Sequence, residues 1–370
     1  MKIGIDARPL TVQNFTGIPN YVYQICKQWM EKHPEHEYYL MARNPICFKE
    51  ENLPDNWHIL NTPWIIDWGK FWFMFEMPKL IKEYELDAFW GPNYMLPRKV
   101  RGVDYFVSVM DMAIFRFKHV GQFVNSIQIK STLKSTTKKA KRIIAISEST
   151  KKDVVELMNV EPEKVAVTYI AGDSDNKVAS GAIRTEIQSL KDYFLFIGTI
   201  EPRKNIVTIV EGFEKYCDKT KDAEMILVLA GGRGWNCEKL YNRVHNSVYA
   251  DRIYMPGFVS DAEKDYMYKH AKAFVYPSLY EGFGMPILEA FRYSIPVITA
   301  NNSSLPEVGG DAAFYINTFD SDSLAKELGI IINNTAEELA IVKKRMTKRL
   351  AFFSWEDCAE KTINIIISKE

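Results

Sequence analysis

Glu281 and Glu289 stand with seven residues between them in Tyr276-Pro277-Ser278-Leu279-Tyr280-Glu281-Gly282-Phe283-Gly284-Met285-Pro286-Ile287-Leu288-Glu289-Ala290. An apolar run that reads as a strand ends near Tyr276. The loop after it holds two glycines, which let backbone approach a ligand closely. Pro286 falls where a helix would begin. A helix N-terminus offers free N–H groups and partial positive charge, suited to phosphate or sugar oxygens. Glu281 then lies in the loop and Glu289 about one turn into the helix, so both can face one ligand. A second strand-to-helix connection, Phe196-Ile197-Gly198-Thr199-Ile200-Glu201-Pro202-Arg203-Lys204-Asn205, ends on two adjacent cations. Arg203 offers a planar fork of donors and Lys204 a compact charge. Together they could neutralise a departing diphosphate. A surface pair near a turn is the plain alternative for either segment alone; two such loops at strand ends of one domain argue against coincidence. Gly17, after the first strand, could bring backbone N–H groups to the same ligand. That signal is weaker, because a lone glycine before a helix is common.

For these loops to converge, parallel strands must end side by side. Near-continuous apolar runs read as strands at Lys2–Asp6, Tyr38–Met41, Asp87–Trp90, Tyr105–Met110 and Arg142–Ile146. A second series follows at Tyr193–Ile197, Met225–Ala230, Arg252–Met255, Ala273–Tyr276 and Pro296–Thr299. Amphipathic stretches between them, such as Ile18–Lys32, Glu148–Met158, Ile206–Tyr216 and Asp261–His270, read as helices. This alternation predicts an α/β protein of two doubly wound, Rossmann-like domains. The expected division is 1–171, a linker over 172–192, a second domain over 193–352, and a C-terminal helix over 353–370 packing back on the first domain. Ser354 followed by Asp357 resembles a cap for that helix, over Cys358–Ile367. Ligands bind such sheets beyond the carboxyl ends of their strands, so a cleft between the two domains is expected to hold the ligand.

The chain has 370 residues and a formal net charge of zero, with 47% apolar and 25% charged residues. That excludes a strongly basic nucleic-acid binder. Five cysteines lie far apart without a Cys-x-x-Cys pair, which fits a reducing, cytoplasmic setting. Met1–Asp6 reads as a strand and not as a signal peptide, and no apolar run reaches membrane-spanning length. Lys130, Lys134, Lys138, Lys139, Lys141 and Arg142 form a basic run, read as a solvated helix face or as a contact with anionic lipid or a phosphate-bearing acceptor. Trp64, Trp68, Phe71, Trp72, Phe73 and Phe75 read as a buried helix face, or as a surface meeting a lipid-linked acceptor. Asp173-Ser174-Asp175 and Asp320-Ser321-Asp322 look like metal-holding D-x-D motifs but read better as turn and capping residues. The six histidines form no ligand cluster, and His119 reads as a loop residue. No metal is expected.

Gly4–Pro9, Gly17–Tyr21, Ser147–Asp153, Gly198–Asn205, Leu229–Trp235, Pro256–Ser260, Pro277–Ala290 and Ser303–Asp311 together resemble the retaining glycosyltransferases of family 4, which have the GT-B fold of two Rossmann-like domains facing a central cleft. The resemblance implies roles. Glu281 and Glu289 match the ends of the family's E-x7-E motif. Glu281, with the backbone of Gly282, Phe283 and Gly284, would hold the donor sugar, and Glu289 the ribose. Arg203 and Lys204 match the diphosphate-binding pair, and Gly17 the glycine whose loop closes over the diphosphate. Phe258 and Val259 lie where the family contacts the base.

The implied reaction is attack of an acceptor hydroxyl on the anomeric carbon of a nucleotide-diphosphate sugar, with retention and no cofactor. The expected acceptor is a glycan or lipid-linked chain in surface polysaccharide or lipopolysaccharide assembly. Mannosyl or 6-deoxyhexosyl transfer is expected, in the cytoplasm or at the inner membrane face, with no nucleic-acid partner. One departure stands out: where the family has His-Asp, this chain has Met110-Asp111. Methionine cannot meet a sugar 6-hydroxyl, so either the donor lacks one, as a 6-deoxyhexose or a pentose does, or the protein is slow or inactive. A non-catalytic nucleotide-sugar-binding protein, supported by Met110 alone, is the competing reading. A sugar-nucleotide epimerase shares the two-domain shape, but the Pro277–Ala290 motif argues against it.

Overall fold

A computed structural model describes residues 1–13, 15–48, 53–62, 71–117, 123–172, 180–222 and 224–368. The chain divides into two units: Met1–Ile170 with Phe353–Glu370, and Ala171–Phe352.

The first unit contains β1 (Lys2–Asp6), β2 (Glu37–Ala42), β3 (Trp57–Asn61), β4 (Ala88–Gly91), β5 (Asp104–Val109), β6 (Arg142–Ala145) and β7 (Val165–Val167). They form one sheet in the order β3-β2-β1-β4-β5-β6-β7, and every pairing is parallel. The second unit contains β8 (Tyr193–Ile197), β9 (Ile226–Ala230), β10 (Ile253–Gly257), β11 (Ala273–Tyr276), β12 (Val297–Ala300) and β13 (Phe314–Ile316). Their order is β10-β9-β8-β11-β12-β13, again all parallel. Each sheet therefore reverses direction of winding at one place, between β1 and β4 and between β8 and β11. The region beyond the strand ends at such a reversal is the usual ligand position in open α/β sheets.

The central strands are buried because helices cover both faces. Phe194, Leu195 and Phe196 on β8, and Ala273, Phe274 and Val275 on β11, are inaccessible to solvent. The helices Ile18–Lys32, Glu148–Met158 and Asp261–His270 have the bounds expected from their periodicity. The strands β3, β7 and β13 escaped the sequence reading. Trp57-His58-Ile59-Leu60-Asn61 has polar residues at an exposed edge, and the other two span three residues each.

The segment 172–192 differs from a free linker, and the second unit begins at Ala171. Residues 173–179 lie outside the described residues. Beyond them Ile187 is fully buried and Arg184 reaches Glu263 with Nε 2.6 Å from Oε1. Arg184 also donates to the carbonyls of Pro256 and Phe258. An arginine with this many fixed acceptors ties its segment to the domain body.

The final helix, Trp355–Ile367, starts three residues before the expected Cys358, and Ser354 caps it by accepting from the Asp357 N–H. It packs against Ile18–Lys32 within the first unit. The fully buried Trp29 fixes that contact, donating from Nε1 to the Ala359 carbonyl at 2.9 Å. Of the aromatic stretch, Trp72 and Phe73 are buried while Phe71 and Phe75 are exposed and stacked on each other; Trp64 and Trp68 lie outside the described residues, as does His119. In the basic run Lys134 and Lys138 are exposed, whereas Lys139 donates to the Pro97 carbonyl and Lys141 pairs with Asp104. Asp320 caps the helix Ser321–Asn333 by accepting from the Ser323 N–H, and Asp173 and Asp175 are not among the described residues. None of the described helices is long and apolar enough to cross a membrane.

Trp29→Ala removes a large buried ring and its hydrogen bond to the Ala359 carbonyl, so the first unit should lose about 3–5 kcal/mol of stability. Urea unfolding followed by circular dichroism reads this directly. A change below about 1 kcal/mol, ordinary for a surface position, would show that the last helix is not anchored by this residue.

Candidate active site

The two loops that flank the switch point of the second sheet are stitched together before any ligand arrives. After β8, Pro202–Lys204 form a single 3-10 turn closed by Asn205 in the left-handed region. Asn205 Nδ2 donates to the Pro277 carbonyl at 3.1 Å, and the Leu279 N–H donates to the Arg203 carbonyl at 2.8 Å. The loop after β8 is thereby fixed against the loop after β11. Ser303 and Ser304 hold the latter from its other side. Ser303 Oγ accepts from the Glu281 N–H at 2.9 Å, and Ser304 Oγ has the carbonyls of Glu281 and Phe283 as acceptors for its one hydrogen. Gly282 and Phe283 are buried. Gly284 has φ +121°, which a residue with a Cβ rarely adopts, and caps the helix Met285–Arg292 with Pro286 in its first turn.

These ties bring Arg203, Lys204 and Glu281 to one point. Arg203 Nη1 lies 2.8 Å from Glu281 Oε2, and Lys204 Nζ lies 2.6 Å from Glu281 Oε1. Arg203 also donates to the Tyr280 carbonyl and, through Nε, to Glu201 Oε1 at 2.9 Å. The other Glu201 oxygen accepts from Trp235 Nε1 at 3.0 Å. Tyr276 Oη lies 2.6 Å from Lys204 Nζ and 2.9 Å from Glu281 Oε1. Lys204 is only 8% exposed, which rules out the surface-pair alternative.

Two acids and two cations make the cluster formally neutral. Burial alone would raise the Glu281 carboxyl, but the Lys204 and Arg203 charges and the Lys204 hydrogen bond outweigh it and bring its pKa down to about 2. Burial alone would lower the Arg203 guanidinium, yet the Glu281 and Glu201 charges raise it. The cations therefore do not stand bare for a diphosphate. Each is already paired with Glu281, because an uncompensated buried charge is far costlier than a paired one.

Glu289, on the helix Met285–Arg292, makes different bonds. Its oxygens accept from Lys264 Nζ at 3.2 Å and Tyr268 Oη at 3.1 Å. Burial, then the Glu289 charge, push the Tyr268 phenol well up, so it serves as a neutral donor. Phe258 follows β10 and is 81% exposed, while Val259 is buried. Arg184 holds that corner through the Pro256 and Phe258 carbonyls, at 2.9 and 3.1 Å.

The remaining expected residues belong to the first unit. Gly17 has φ +58° and opens the helix Ile18–Lys32 after β1. Met110 follows β5 and is buried, its carbonyl accepting from Thr150 Oγ1 at 3.5 Å. Asp111 accepts from the Ala113 N–H at 2.9 Å, and its own N–H donates to Tyr94 Oη.

Sequence reasoning gave Tyr276, Glu201 and Trp235 no role. A signal existed for the first. Tyr276 ends the otherwise apolar strand Ala273-Phe274-Val275-Tyr276, and a buried phenol at that place must find a hydrogen-bond partner. Trp235 comes from a distant loop, and nothing local marks its tie to Glu201.

Residues 183–349 match the family described as glycosyl transferases group 1, and residues 15–174 match Glycosyltransferase Family 4. The chain is 32% identical over 291 residues to the O-antigen chain mannosyltransferase B of Escherichia coli, covering 77% of this chain and 75% of that relative. Among solved structures it resembles WaaG, a glycosyltransferase involved in lipopolysaccharide biosynthesis, with a TM-score of 0.69 at 15% identity across 100% of both chains. It also resembles the Anabaena protein HepE in complex with UDP and glucose, with a TM-score of 0.68 at 14% identity across 98% of both chains. At those identities the structural likeness speaks for the fold, two Rossmann-like units of the GT-B type. Taken with the sequence matches in both units, it makes the chain a member of the group 1, family 4 glycosyltransferases.

Proposed function

We propose that this glycosyltransferase moves a mannosyl residue from a nucleoside-diphosphate donor to a glycan or lipid-linked acceptor in O-antigen or lipopolysaccharide assembly, with retention and without a metal. The observation that carries the reading is the convergence of Arg203, Lys204 and Glu281 at the switch point of the second sheet. The mannosyl assignment takes its support from the Escherichia coli relative, and the assembly role from that relative and WaaG.

In this reading the donor diphosphate takes over part of the hydrogen bonding that Glu281 now supplies. Arg203 and Lys204 stabilise negative charge as it grows on the leaving oxygen, while the ring develops oxocarbenium character. Because the donors are held in place beforehand, little reorganisation is needed at the moment of reaction. Glu281 then turns its acceptor capacity to the sugar hydroxyls, and Glu289 to the ribose. The acceptor hydroxyl attacks from the face the diphosphate leaves, and the diphosphate takes its proton. Arg203 and Lys204 take the place at the leaving group that a divalent ion would hold in a metal-dependent transfer. Exposed Phe71 and Phe75, with exposed Lys134 and Lys138 in the same unit, support peripheral contact with the cytoplasmic face of the inner membrane.

Met110 favours a second donor class. A buried methionine in place of the family's histidine offers no hydrogen bond to a sugar 6-hydroxyl, which suits a 6-deoxyhexose.

Nucleoside diphosphate release should occur with GDP-mannose and a mannosylated acceptor glycan, unchanged by EDTA, giving an α-linked product by NMR. Turnover of dTDP-rhamnose or GDP-fucose with refusal of GDP-mannose would move the assignment to the 6-deoxy class. Release from no donor would refute both.

Lys204→Met and Glu281→Gln should part in a telling way. Loss of Lys204 should lower kcat by about 10²–10³-fold and weaken nucleoside diphosphate binding. Loss of the Glu281 charge should depress kcat comparably, yet leave binding intact or tighter by calorimetry, since the cations lose their competing carboxylate. Equal weakening of binding by both variants would contradict the displacement of Glu281 by the diphosphate.

A further inference from the structure

Lys204, Tyr276 and Glu281 close a three-membered ring of hydrogen bonds, with edges of 2.6, 2.9 and 2.6 Å, inside a site from which solvent is nearly excluded. The hydrogens in that ring have only one arrangement. An ammonium can only donate and an ionised carboxylate can only accept. The phenol oxygen must therefore accept from Lys204 and send its own hydrogen to Glu281 Oε1. Burial and the Glu281 charge raise the phenol well above its ordinary value, so the hydrogen is always present. Phe196 and Phe274 stack against the Tyr276 ring at 6.2 and 5.7 Å between centroids, nearly parallel. The strand β11 fixes the backbone. The phenol is thus a rigid bracket, whereas Lys204 reaches the site on a flexible four-carbon stem.

We propose that Tyr276 is a positioning residue for transfer: it holds the Lys204 ammonium in the place where it meets the donor diphosphate, including after Glu281 has turned toward the sugar. This rests on the glycosyl-transfer reading above. When Glu281 leaves the ring for a ligand, the phenol still accepts from the Lys204 ammonium. An ammonium without it would lose a buried acceptor and gain freedom to swing, and catalysis that depends on placed charge would suffer.

Tyr276→Phe keeps the ring stack and deletes only the hydroxyl, so the fold should survive, which a thermal melt checks. Leaving a buried partner unsatisfied should lower kcat/KM for the donor found in the screen by about 10–100-fold. The loss should vanish in the Lys204→Met background, where Tyr276→Phe should change kcat/KM by less than about threefold, since contacting residues are non-additive. Equal losses in the two backgrounds would mean a merely structural effect and overturn the proposal, as would an unchanged single variant. Wild-type turnover separates the two ideas. If the wild type turns over no donor, the transfer reading falls, and calorimetry with GDP and UDP still decides the bracket. Binding weakened about tenfold by Tyr276→Phe alone, and not further in the double variant relative to Lys204→Met, supports it; unchanged binding overturns it.

Discussion

A carboxylate buried between two cations governs the second unit. Glu281 is nearly inaccessible, and each of its oxygens meets a positive charge. None of the three charges could be buried there alone, because the desolvation penalty of an unpaired ion exceeds what local packing returns. Their pairing, brought to neutrality by Glu201 on Arg203, lets the loops after β8 and β11 lie close together, and the Leu279 and Asn205 hydrogen bonds then lock those loops. The same neutrality makes the site exchangeable. A ligand that brings its own negative charge can replace the carboxylate without leaving a cation exposed to a low-dielectric interior.

The strand order explains why the cluster forms where it does. β8 and β11 are neighbours in the sheet but are separated by two strands in the chain. Their following helices belong to opposite faces of such a sheet, yet the loops that lead into them start side by side beyond the strand ends. Residues from both loops can then reach one point. The first sheet has the same order through its first six strands, and it too reverses between neighbours, at β1 and β4. Gly17 follows β1 there, as the Arg203–Lys204 turn follows β8 in the second sheet.

Outside the cluster, pairing of a different kind shapes the corner after β10 and the surroundings of Glu289. Arg184 spans a carboxylate and two carbonyls, and so fixes the backbone on which Phe258 stands exposed. Lys264 and Tyr268 occupy Glu289. Both acids of the E-x7-E pair are thus held by donors from elsewhere in the fold, and each is kept in a defined orientation.

The fold class was legible because its signals are local. Buried parallel strands such as Tyr193–Ile197 are apolar throughout, and helices such as Asp261–His270 announce their caps. The edge strand β3 was not legible, since half-exposed residues lose that pattern. That the loops after β8 and β11 carry Arg203, Lys204 and Glu281 at strand ends was legible, since the types and spacing of these residues stand out beside apolar strands. Which groups pair was decided by tertiary structure alone. Tyr276, Trp235 and Ser304 meet Lys204, Glu201 and the Glu281 carbonyl through contacts between residues 23 to 72 positions apart. Sequence fixes what each side chain can donate or accept, but burial removes water as a partner and forces one choice among the many combinations that remain.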